Sequence, residues 1–184
     1  MIDYTKLVNT KSPVIVQIGA HDGILGEEYN LQDLLDSLDD FKLILIEPID
    51  KFFNNLHSVY GKYGEKVEYL KLAISDTNGS VNMVDQGCMS KIDSSGGILV
   101  DTITWDRFVT ENNIDNIDLL LLDCEGYEFN ILSQIDFSKI RPHVIRYEYL
   151  WLENKKECDD YLTSNGYKID LCKYDHTYNK IAFI

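Results

Sequence analysis

The feature that most constrains the fold is a run of mostly apolar residues, Val14–Ile18, that leads directly into a turn framed by Gly19 and Gly23. Such a run, rich in β-branched side chains, is typical of a buried parallel strand. Glycine at both ends of the turn lets the backbone bend sharply and approach a ligand closely. The stretch therefore predicts an α/β fold with a ligand site at its first strand–helix turn.

A second apolar run, Lys42–Ile46, ends in the dipeptide Glu47-Pro48. In nucleotide-binding α/β folds, an acidic residue at the end of the second strand hydrogen-bonds the two hydroxyl groups of a ribose. The first half of the chain therefore predicts a site for a cofactor that contains a nucleoside.

The spacing of the glycines indicates which nucleoside is bound. Dinucleotide sites use G-x-G-x-x-G, because the pyrophosphate lies against bare backbone at a helix N-terminus. Here the spacing is G-x-x-x-G, and His21 and Asp22 fill the turn. These side chains suit a ligand with an amino group and no phosphate, as in S-adenosylmethionine. The alternative is a tight turn that binds no ligand.

Length and charge narrow the class of protein. The 184 residues predict a single domain over residues 1–184, with a sizeable core. The net charge of -14, from 17 basic and 31 acidic residues, disfavours a nucleic-acid partner, which gains affinity when basic side chains neutralise its phosphates. The N-terminus lacks the pattern of a signal peptide, and no apolar run is long enough to span a membrane.

The cysteines point to a reducing compartment. They lie far apart and form no C-x-x-C pair, which argues against a zinc site and against a disulfide scaffold. We therefore expect free thiols in a cytoplasmic protein. The four cysteines are Cys88, Cys124, Cys158 and Cys172.

The rest of the chain alternates between helical and strand periodicity, which predicts a doubly wound sheet. A short turn between the last two strands makes them antiparallel, an ending typical of methyltransferases rather than dehydrogenases. The predicted helices cover Leu31–Leu38, Ile49–Tyr60, a segment that begins after Thr104, a segment that contains Phe129–Ile135, and residues 155–165. The later strands are predicted at Val67–Ile74, Asp118–Leu122, Val144–Tyr147, Tyr167–Cys172 and Thr177–Ile184.

Residues 77–103 interrupt this alternation. They contain the turn signal Asn78-Gly79, then alternating apolar residues, a loop rich in glycine and serine, and a strand over Ile98–Ile103. We interpret them as a loop-rich excursion. It is either a surface hairpin or a flap over the cofactor, since long loops in compact domains are often lids.

A cluster of acidic residues follows the leucine-rich strand. Asp123, Glu125 and Glu128 come at its end, and Glu148 ends the next predicted strand. Buried acids are costly unless paired, and ligands of α/β sheets bind at the carboxyl ends of the strands. A helix N-terminus also favours acids, which accounts for Glu125 and Glu128 but poorly for Asp123. We therefore expect Asp123 and Glu125 to belong to the site.

Five short motifs of the chain resemble the FkbM family of S-adenosylmethionine-dependent methyltransferases. The similarity covers about residues 12–170, and its most specific part is the Asp-x-Glu-Gly-x-Glu element. The motifs are Val-Gln-Ile-Gly-Ala-His-Asp-Gly, Ile-Glu-Pro, Ala-Ile-Ser-Asp, Thr-Ile-Thr-Trp-Asp and Leu-Leu-Asp-Cys-Glu-Gly-Tyr-Glu. The resemblance implies a Rossmann-like class I methyltransferase fold with a mostly parallel seven-stranded sheet and a C-terminal antiparallel hairpin.

The resemblance also implies roles for individual residues. Glu47 is expected to bind the ribose hydroxyls, and Asp123 to lie near the amino group and the transferred methyl. The methionine end of the cofactor is assigned to Gly19, Ala20, His21, Asp22 and Gly23, the adenosine to Pro48 and Ile49, and the adenine to Ser75 and Asp76. In one departure from the family pattern, Leu121 stands where a lysine is common. His143 begins a strand and could equally be an ordinary structural histidine, so it is not assigned to the catalytic set.

The predicted function is methyl transfer from S-adenosylmethionine to a hydroxyl of a sugar or another small metabolite. Asp123, Glu125 or Glu148 is expected to take the proton of that hydroxyl. In one alternative, carboxylates of this cluster hold Mg²⁺, which lowers the pKa of the hydroxyl, although no residue is assigned as a metal ligand. In the other, the chain binds the cofactor without catalysis and acts as a partner protein.

Overall fold

A computed structural model describes residues 3–24, 28–92, 94, 97–171 and 179–184 of the chain. Helices and strands alternate along these segments as the periodicity predicts. The strands are Val14–Ile18 (β1), Lys42–Ile46 (β2), Val67–Leu70 (β3), Ala73–Ile74 (β4), Gly79–Val84 (β5), Lys91–Ile92 (β6), Ile98–Ile103 (β7), Leu119–Leu122 (β8), Val144–Glu148 (β9), Lys168–Leu171 (β10) and Asn179–Phe183 (β11). The α-helices are Glu28–Asp36 (α1), Asp50–Tyr60 (α2), Trp105–Glu111 (α3), Glu128–Leu132 (α4) and Lys155–Ser164 (α5).

Within the described residues, seven strands form the main sheet in the order β10-β11-β9-β8-β1-β2-β3. Strands β9, β8, β1, β2 and β3 pair in parallel, whereas β11 is antiparallel to both of its neighbours. This is the predicted Rossmann-like arrangement with a reversed strand in its C-terminal hairpin. The predicted turn of that hairpin, at Asp175-His176, lies outside the described residues.

The core has two layers, one on each face of the main sheet. On one face, β1 and β2 pack against the buried leucines of α1 and the Leu56 and Tyr60 side chains of α2. On the other face, the sheet packs against α3, α4 and α5, including Trp105 and Phe108. Strand β8 is buried on both faces, as four consecutive leucines between two helical layers require.

The predicted strand Val67–Ile74 is wrong in one respect, because it is two strands in two sheets. Leu70 is the last residue paired with β2, opposite Ile46, and β2 is followed by Glu47 and Pro48. Proline has no N–H and cannot extend a strand ladder, so the pairing stops there. The chain then forms β4, which pairs in parallel with β7.

Residues 77–103, which were predicted as a loop-rich excursion, contribute β5, β6 and β7 to a second sheet. In the described residues this sheet has the order β4-β7-β5-β6, with a small core of Ala73, Met83 and Val100. The Asn78-Gly79 turn and the strand over Ile98–Ile103 are confirmed. Most of the glycines and serines lie in the connections between these strands. The pairing of β4 with β7 could not be predicted, because the two strands are far apart in sequence.

Two other sequence predictions concern the membrane and the thiols. Among the described residues, no helix is long and apolar enough to cross a membrane. Cys124 and Cys158 are free thiols, as expected. Cys172 and the side chain of Cys88 lie outside what the structure describes.

Candidate functional site

A cavity of about 480 Å³ opens at the carboxyl ends of β1, β2, β8 and β9. Parallel strands direct their ends and the following turns to the same edge of a sheet, which is where ligands of such folds bind. The small second sheet covers one side of the cavity with residues of β5, β6 and the turn between them. The lining residues are Ile18, Gly19, His21, Ile46, Glu47, Pro48, Ile49, Phe52, Leu72, Ala73, Ile74, Met83, Gly87, Ser90, Lys91, Ile92, Asp123, Cys124, Glu125, Tyr127, Arg146, Glu148, Leu150 and Asn179.

The glycines of the first turn are required by packing. Gly19 has a φ of 78°, and a Cβ there would lie 1.8 Å from the carbonyl oxygen of Asp123. A Cβ on Gly23 would lie 2.7 Å from the ring of Tyr60 in α2. Gly19 therefore allows the ends of β1 and β8 to meet, and it lines the cavity where they do.

His21 connects the first turn to helix α2. Its ring stacks on Phe52 with centroids 3.7 Å apart, and its Nδ1 lies 3.2 Å from Oδ1 of Asp22. The residue has a φ of 47°, an uncommon conformation for a side chain other than glycine. This conformation turns the backbone N–H of His21 toward the end of β2.

Glu47 is the acidic residue predicted at the end of the second strand. It is 5% exposed, and its two oxygens accept backbone N–H bonds from His21 and Ile49, each at 2.9 Å. Burial raises the pKa of Glu47 to about 7, and the two hydrogen bonds oppose this rise. Each oxygen keeps a second lone pair, so the carboxylate can also accept hydroxyl donors from a ligand.

The cavity brings together most of the predicted site residues. Those that line it are Gly19, His21, Glu47, Pro48, Ile49, Asp123, Glu125 and Glu148. The lining residues do not include Ala20, Asp22, Gly23, Ser75 and Asp76 among the described part of the chain. Ser75 is buried at the end of β4, 3.4 Å from the Tyr127 hydroxyl, and the assignment of Ser75 and Asp76 to the adenine stays a prediction.

The carboxylates of the acidic turn after β8 have different surroundings: one stabilises the turn and two line the cavity. Glu128 is fully buried and accepts backbone N–H bonds from Cys124 at 2.6 Å and Gly126 at 3.1 Å. It therefore closes the turn. Glu125 has a φ of 53°, and with Asp123 it faces the cavity. The interpretation as a helix start explains Glu128 but not the other two residues.

Burial and neighbouring negative charges together raise the pKa values of the acids at this edge. Burial, reinforced by Asp123, raises the pKa of Glu125 to about 7. Burial, together with Asp123 and Glu125, raises the pKa of Glu148 to about 9, although Arg146 opposes the rise. Nη1 of Arg146 is 3.8 Å from Oδ2 of Asp123. The site therefore contains a buried guanidinium beside its carboxylates.

Sequence reasoning missed several lining residues. Arg146 is two residues before Glu148 on β9, so strand alternation puts it on the same face, and it stands opposite Leu121 in register. Asn179 stands opposite Glu148 on β11. The two-residue period of β9 could have found Arg146. No local signal could have found Asn179, because its position depends on the pairing of β11 with β9.

His143 lies away from the cavity. Its Nδ1 is 3.2 Å from Oδ1 of Asp118, and Asp118 also accepts the backbone N–H of Val14 at the beginning of β1. These contacts are at the amino ends of the strands, opposite the cavity. His143 therefore contacts a structural carboxylate and does not line the cavity, which agrees with leaving it out of the catalytic set.

A second cavity, of about 460 Å³, adjoins the first. The two share Lys91, Ile92, Cys124, Glu125 and Tyr127 as lining residues. The second is also lined by the exposed side chains of Met89 and Trp151 and by amide groups from Gln86, Asn130 and Asn154. Glu125 thus stands between two adjoining spaces.

The family model of the methyltransferase FkbM domain matches residues 17–169 of the chain. The chain belongs to the FkbM methyltransferase family. No curated protein sequence matches it.

Solved structures share the fold of this family member. The methyltransferase FkbM from Methylobacillus flagellatus KT is 17% identical with a TM-score of 0.68, and the match covers 98% of this chain but 46% of that one. The chain thus spans less than half the length of that methyltransferase. CalS11, a TDP-rhamnose 3'-O-methyltransferase of calicheamicin biosynthesis, is 11% identical with a TM-score of 0.60, covering 98% of this chain and 74% of that one.

A third relative was solved with its cofactor. Aeropyrum pernix fibrillarin, in complex with S-adenosyl-L-methionine, is 10% identical with a TM-score of 0.52, and the match covers 96% of this chain and 67% of that chain. At this level of identity the likeness concerns the fold, which is that of the Rossmann-like class I methyltransferases.

Proposed function

We propose that this FkbM-family chain binds S-adenosylmethionine in the cavity at the strand ends and methylates a hydroxyl of a sugar or another small metabolite. The observation that carries the proposal is Glu47. Its carboxylate is buried at the end of β2, is held by two backbone N–H groups and lines the cavity. A carboxylate in this position matches the two hydroxyl groups of a ribose.

The lining of the cavity fits the other parts of the cofactor. Its volume lies in the range of about 300–1,000 Å³ that is typical of small-molecule sites. Ile49, Phe52, Leu72, Ile74 and Met83 give it an apolar side that suits a flat adenine. Asp123, directly after β8, also lines the cavity, and its negative charge suits an ammonium group.

Methyl transfer is a direct displacement, so the protein need not form a covalent intermediate. Bound S-adenosylmethionine supplies a methyl group on a positively charged sulfur. The residues of this chain hold the acceptor oxygen in line with that methyl, and such alignment contributes most of the acceleration expected for a displacement. Asp123, Glu125 and Glu148 supply carboxylates near that point, and one of them takes the hydroxyl proton.

We place the acceptor in the second cavity. Glu125 and Lys91 line both cavities, so a molecule in the second can extend a hydroxyl into the first. An exposed Trp151 and several amide side chains suit a ring with hydroxyl groups. The relative named as a TDP-rhamnose O-methyltransferase indicates that this fold accommodates a sugar acceptor.

The alternative is a chain that binds the cofactor without catalysis. Methyl transfer from labelled S-adenosylmethionine to a panel of sugars, nucleotide sugars and small hydroxylated metabolites separates the two. Labelled product that is lost in Glu125→Gln but kept in the exposed variant Glu157→Gln supports the enzyme. Cofactor binding without product across the panel supports the partner protein.

A further inference from the structure

We propose that Asp123, Glu125 and Glu148 form a binding site for one divalent cation of the Mg²⁺ or Mn²⁺ type. One carboxylate oxygen from each residue lies within 4.8 Å of the other two. Mg²⁺ prefers oxygen ligands at about 2.0–2.1 Å, usually from a few carboxylates with the remaining positions filled by water or substrate. Small side-chain rotations bring three oxygens at this spacing around one ion.

A group of acidic side chains alone does not mark a metal site. The second observation is the state of Glu148, which is 8% exposed and lines the cavity. Its Oε2 is buried and has no hydrogen-bond partner among the residues that the structure describes. A carboxylate oxygen buried in this way is costly unless a ligand completes its surroundings.

The other buried carboxylates of this edge differ from Glu148. Glu47 accepts two backbone N–H bonds, and Glu128 also accepts two, from its own turn. Both therefore have hydrogen-bond donors, whereas Oε2 of Glu148 has none among the described residues, and a carboxylate oxygen of Glu148 lies within 4.8 Å of one from Asp123 and one from Glu125. The contrast indicates that Glu148 is directed at a ligand, and the two other carboxylates make that ligand a cation.

The strand pattern supports the same arrangement. Asp123 follows β8 and Glu148 ends β9, and these neighbouring parallel strands end at the same edge. The positive φ of Glu125 returns its side chain to that edge. Two positive side chains, Lys91 and Arg146, also line the cavity. The three carboxylates outnumber them, so the group would keep a net negative charge once a bound dication had displaced any protons from the carboxyl groups.

The role of the cation rests on the proposed function. All three carboxylates line the cofactor cavity, and Glu125 also lines the second cavity, where the acceptor is placed. A divalent ion held by these carboxylates would coordinate the acceptor oxygen, lower the pKa of its hydroxyl and fix its position. Acceptors with two neighbouring hydroxyl groups would then be favoured, because both oxygens can bind one ion.

The test is a titration of chelator-treated protein with Mn²⁺. Electron paramagnetic resonance measures the concentration of free Mn²⁺ at each step. We expect one site in the full chain. Glu148→Gln and Glu125→Gln should each weaken it by more than about tenfold, since even residues outside the ligand shell cost about that much. The exposed variant Glu157→Gln is the matched control for non-specific binding to an acidic protein, and it should leave the site unchanged.

Several results would overturn the cation site. One is Mn²⁺ binding that responds equally to all three variants, and another is a complete absence of binding in the full chain. Circular dichroism reports whether each variant is folded, and Glu125→Gln keeps the test valid if Glu148→Gln is not. Loss of the Mn²⁺ site at saturating S-adenosylhomocysteine would also overturn it, because the trio would then belong to the amino group of the cofactor.

Calorimetry of S-adenosylhomocysteine in the presence of chelator separates this inference from the proposed function. Binding of the nucleoside without a Mn²⁺ site contradicts only the cation site. A Mn²⁺ site without nucleoside binding contradicts the proposed function and leaves the site standing.

Discussion

At the scale of single residues, Glu47 is the side chain on which cofactor binding depends. Glu47→Ala should weaken binding of S-adenosylhomocysteine by about 1.5–3 kcal/mol, the range for hydrogen bonds to a charged acceptor. The alanine variant also leaves the N–H groups of His21 and Ile49 without their acceptor. Glu47→Gln is therefore the cleaner variant, because it keeps the shape and one acceptor oxygen.

Calorimetry measures the effect, and Glu65→Gln, at an exposed residue, is the control. Circular dichroism and thermal melting report whether each variant is folded. An unchanged affinity in folded Glu47→Gln would remove Glu47 from the site.

Glu47 should also make cofactor binding depend on pH. Its pKa is raised to about 7 by burial, and its charged form is the better acceptor for ribose hydroxyls. Affinity for S-adenosylhomocysteine should therefore rise as pH increases through about 7. The stability of the free protein should change in the opposite sense. A raised pKa contributes stability below the ordinary value of 4.5, and that contribution is lost as pH rises through about 7.

Calorimetry and thermal melting across this range measure the two trends. Glu47→Gln should flatten the trend in affinity. It should only reduce the trend in stability, because the pKa of Glu125 is also raised to about 7. If the affinity of Glu47→Gln depends on pH in the same way as that of the wild type, a group other than Glu47 causes the pH dependence.

At the scale of elements, the turn after β8 carries two carboxylates with different roles. Asp123→Asn should weaken cofactor binding, because it removes the charge that faces the ammonium group, and lost turnover should partly recover at saturating cofactor. Glu125→Gln should leave cofactor affinity nearly unchanged and lower turnover by roughly 10²–10⁴-fold, the range for a lost general base. If both variants only lower the melting temperature, the turn is a charged helix start.

The close approach of the ends of β1 and β8 at Gly19 can also be tested by substitution. Gly19→Ala puts a Cβ 1.8 Å from the carbonyl oxygen of Asp123, so the strand ends must separate. We expect a loss of more than about 3 kcal/mol in the free energy of unfolding, from the clash added to the strain of a positive φ. Gly64→Ala is the matched control, because Gly64 also has a positive φ but nothing lies within 4 Å of its Cβ.

Denaturant unfolding measures both variants, and the control should lose only the cost of the backbone conformation. Equal losses in the two variants would show that the contact with Asp123 contributes nothing.

At the scale of the whole molecule, local sequence signals predicted the main sheet but not the second one. The strands β1, β2 and β8 are continuous apolar runs that end at glycine or acidic residues, so their bounds and their parallel pairing follow from the pattern. The second sheet depends on the pairing of Ala73-Ile74 with Thr102-Ile103, which are distant in sequence. A two-residue strand carries no periodicity from which this pairing could be inferred.

Some residues of the candidate site could likewise be predicted from the sequence, and others could not. Glu47 and Asp123 were predictable, because each follows a recognisable strand at the edge where ligands bind. Met83, Lys91 and Ile92 were not, because they reach the cavity through the second sheet. Leu121 stands where the family commonly has a lysine, and the residue opposite Leu121 on the neighbouring strand is Arg146. A positive charge beside Asp123 is thus supplied by the neighbouring strand.

The measurement that tests the central claim most directly is calorimetry of the full chain with three nucleosides. The buried carboxylate of Glu47 and the G-x-x-x-G turn predict binding of S-adenosylmethionine and S-adenosylhomocysteine, and no binding of NAD, whose pyrophosphate requires bare backbone at the turn. Heat for both sulfur nucleosides and none for NAD is the expected result. Heat for NAD, with none for either sulfur nucleoside, would contradict the proposed cofactor.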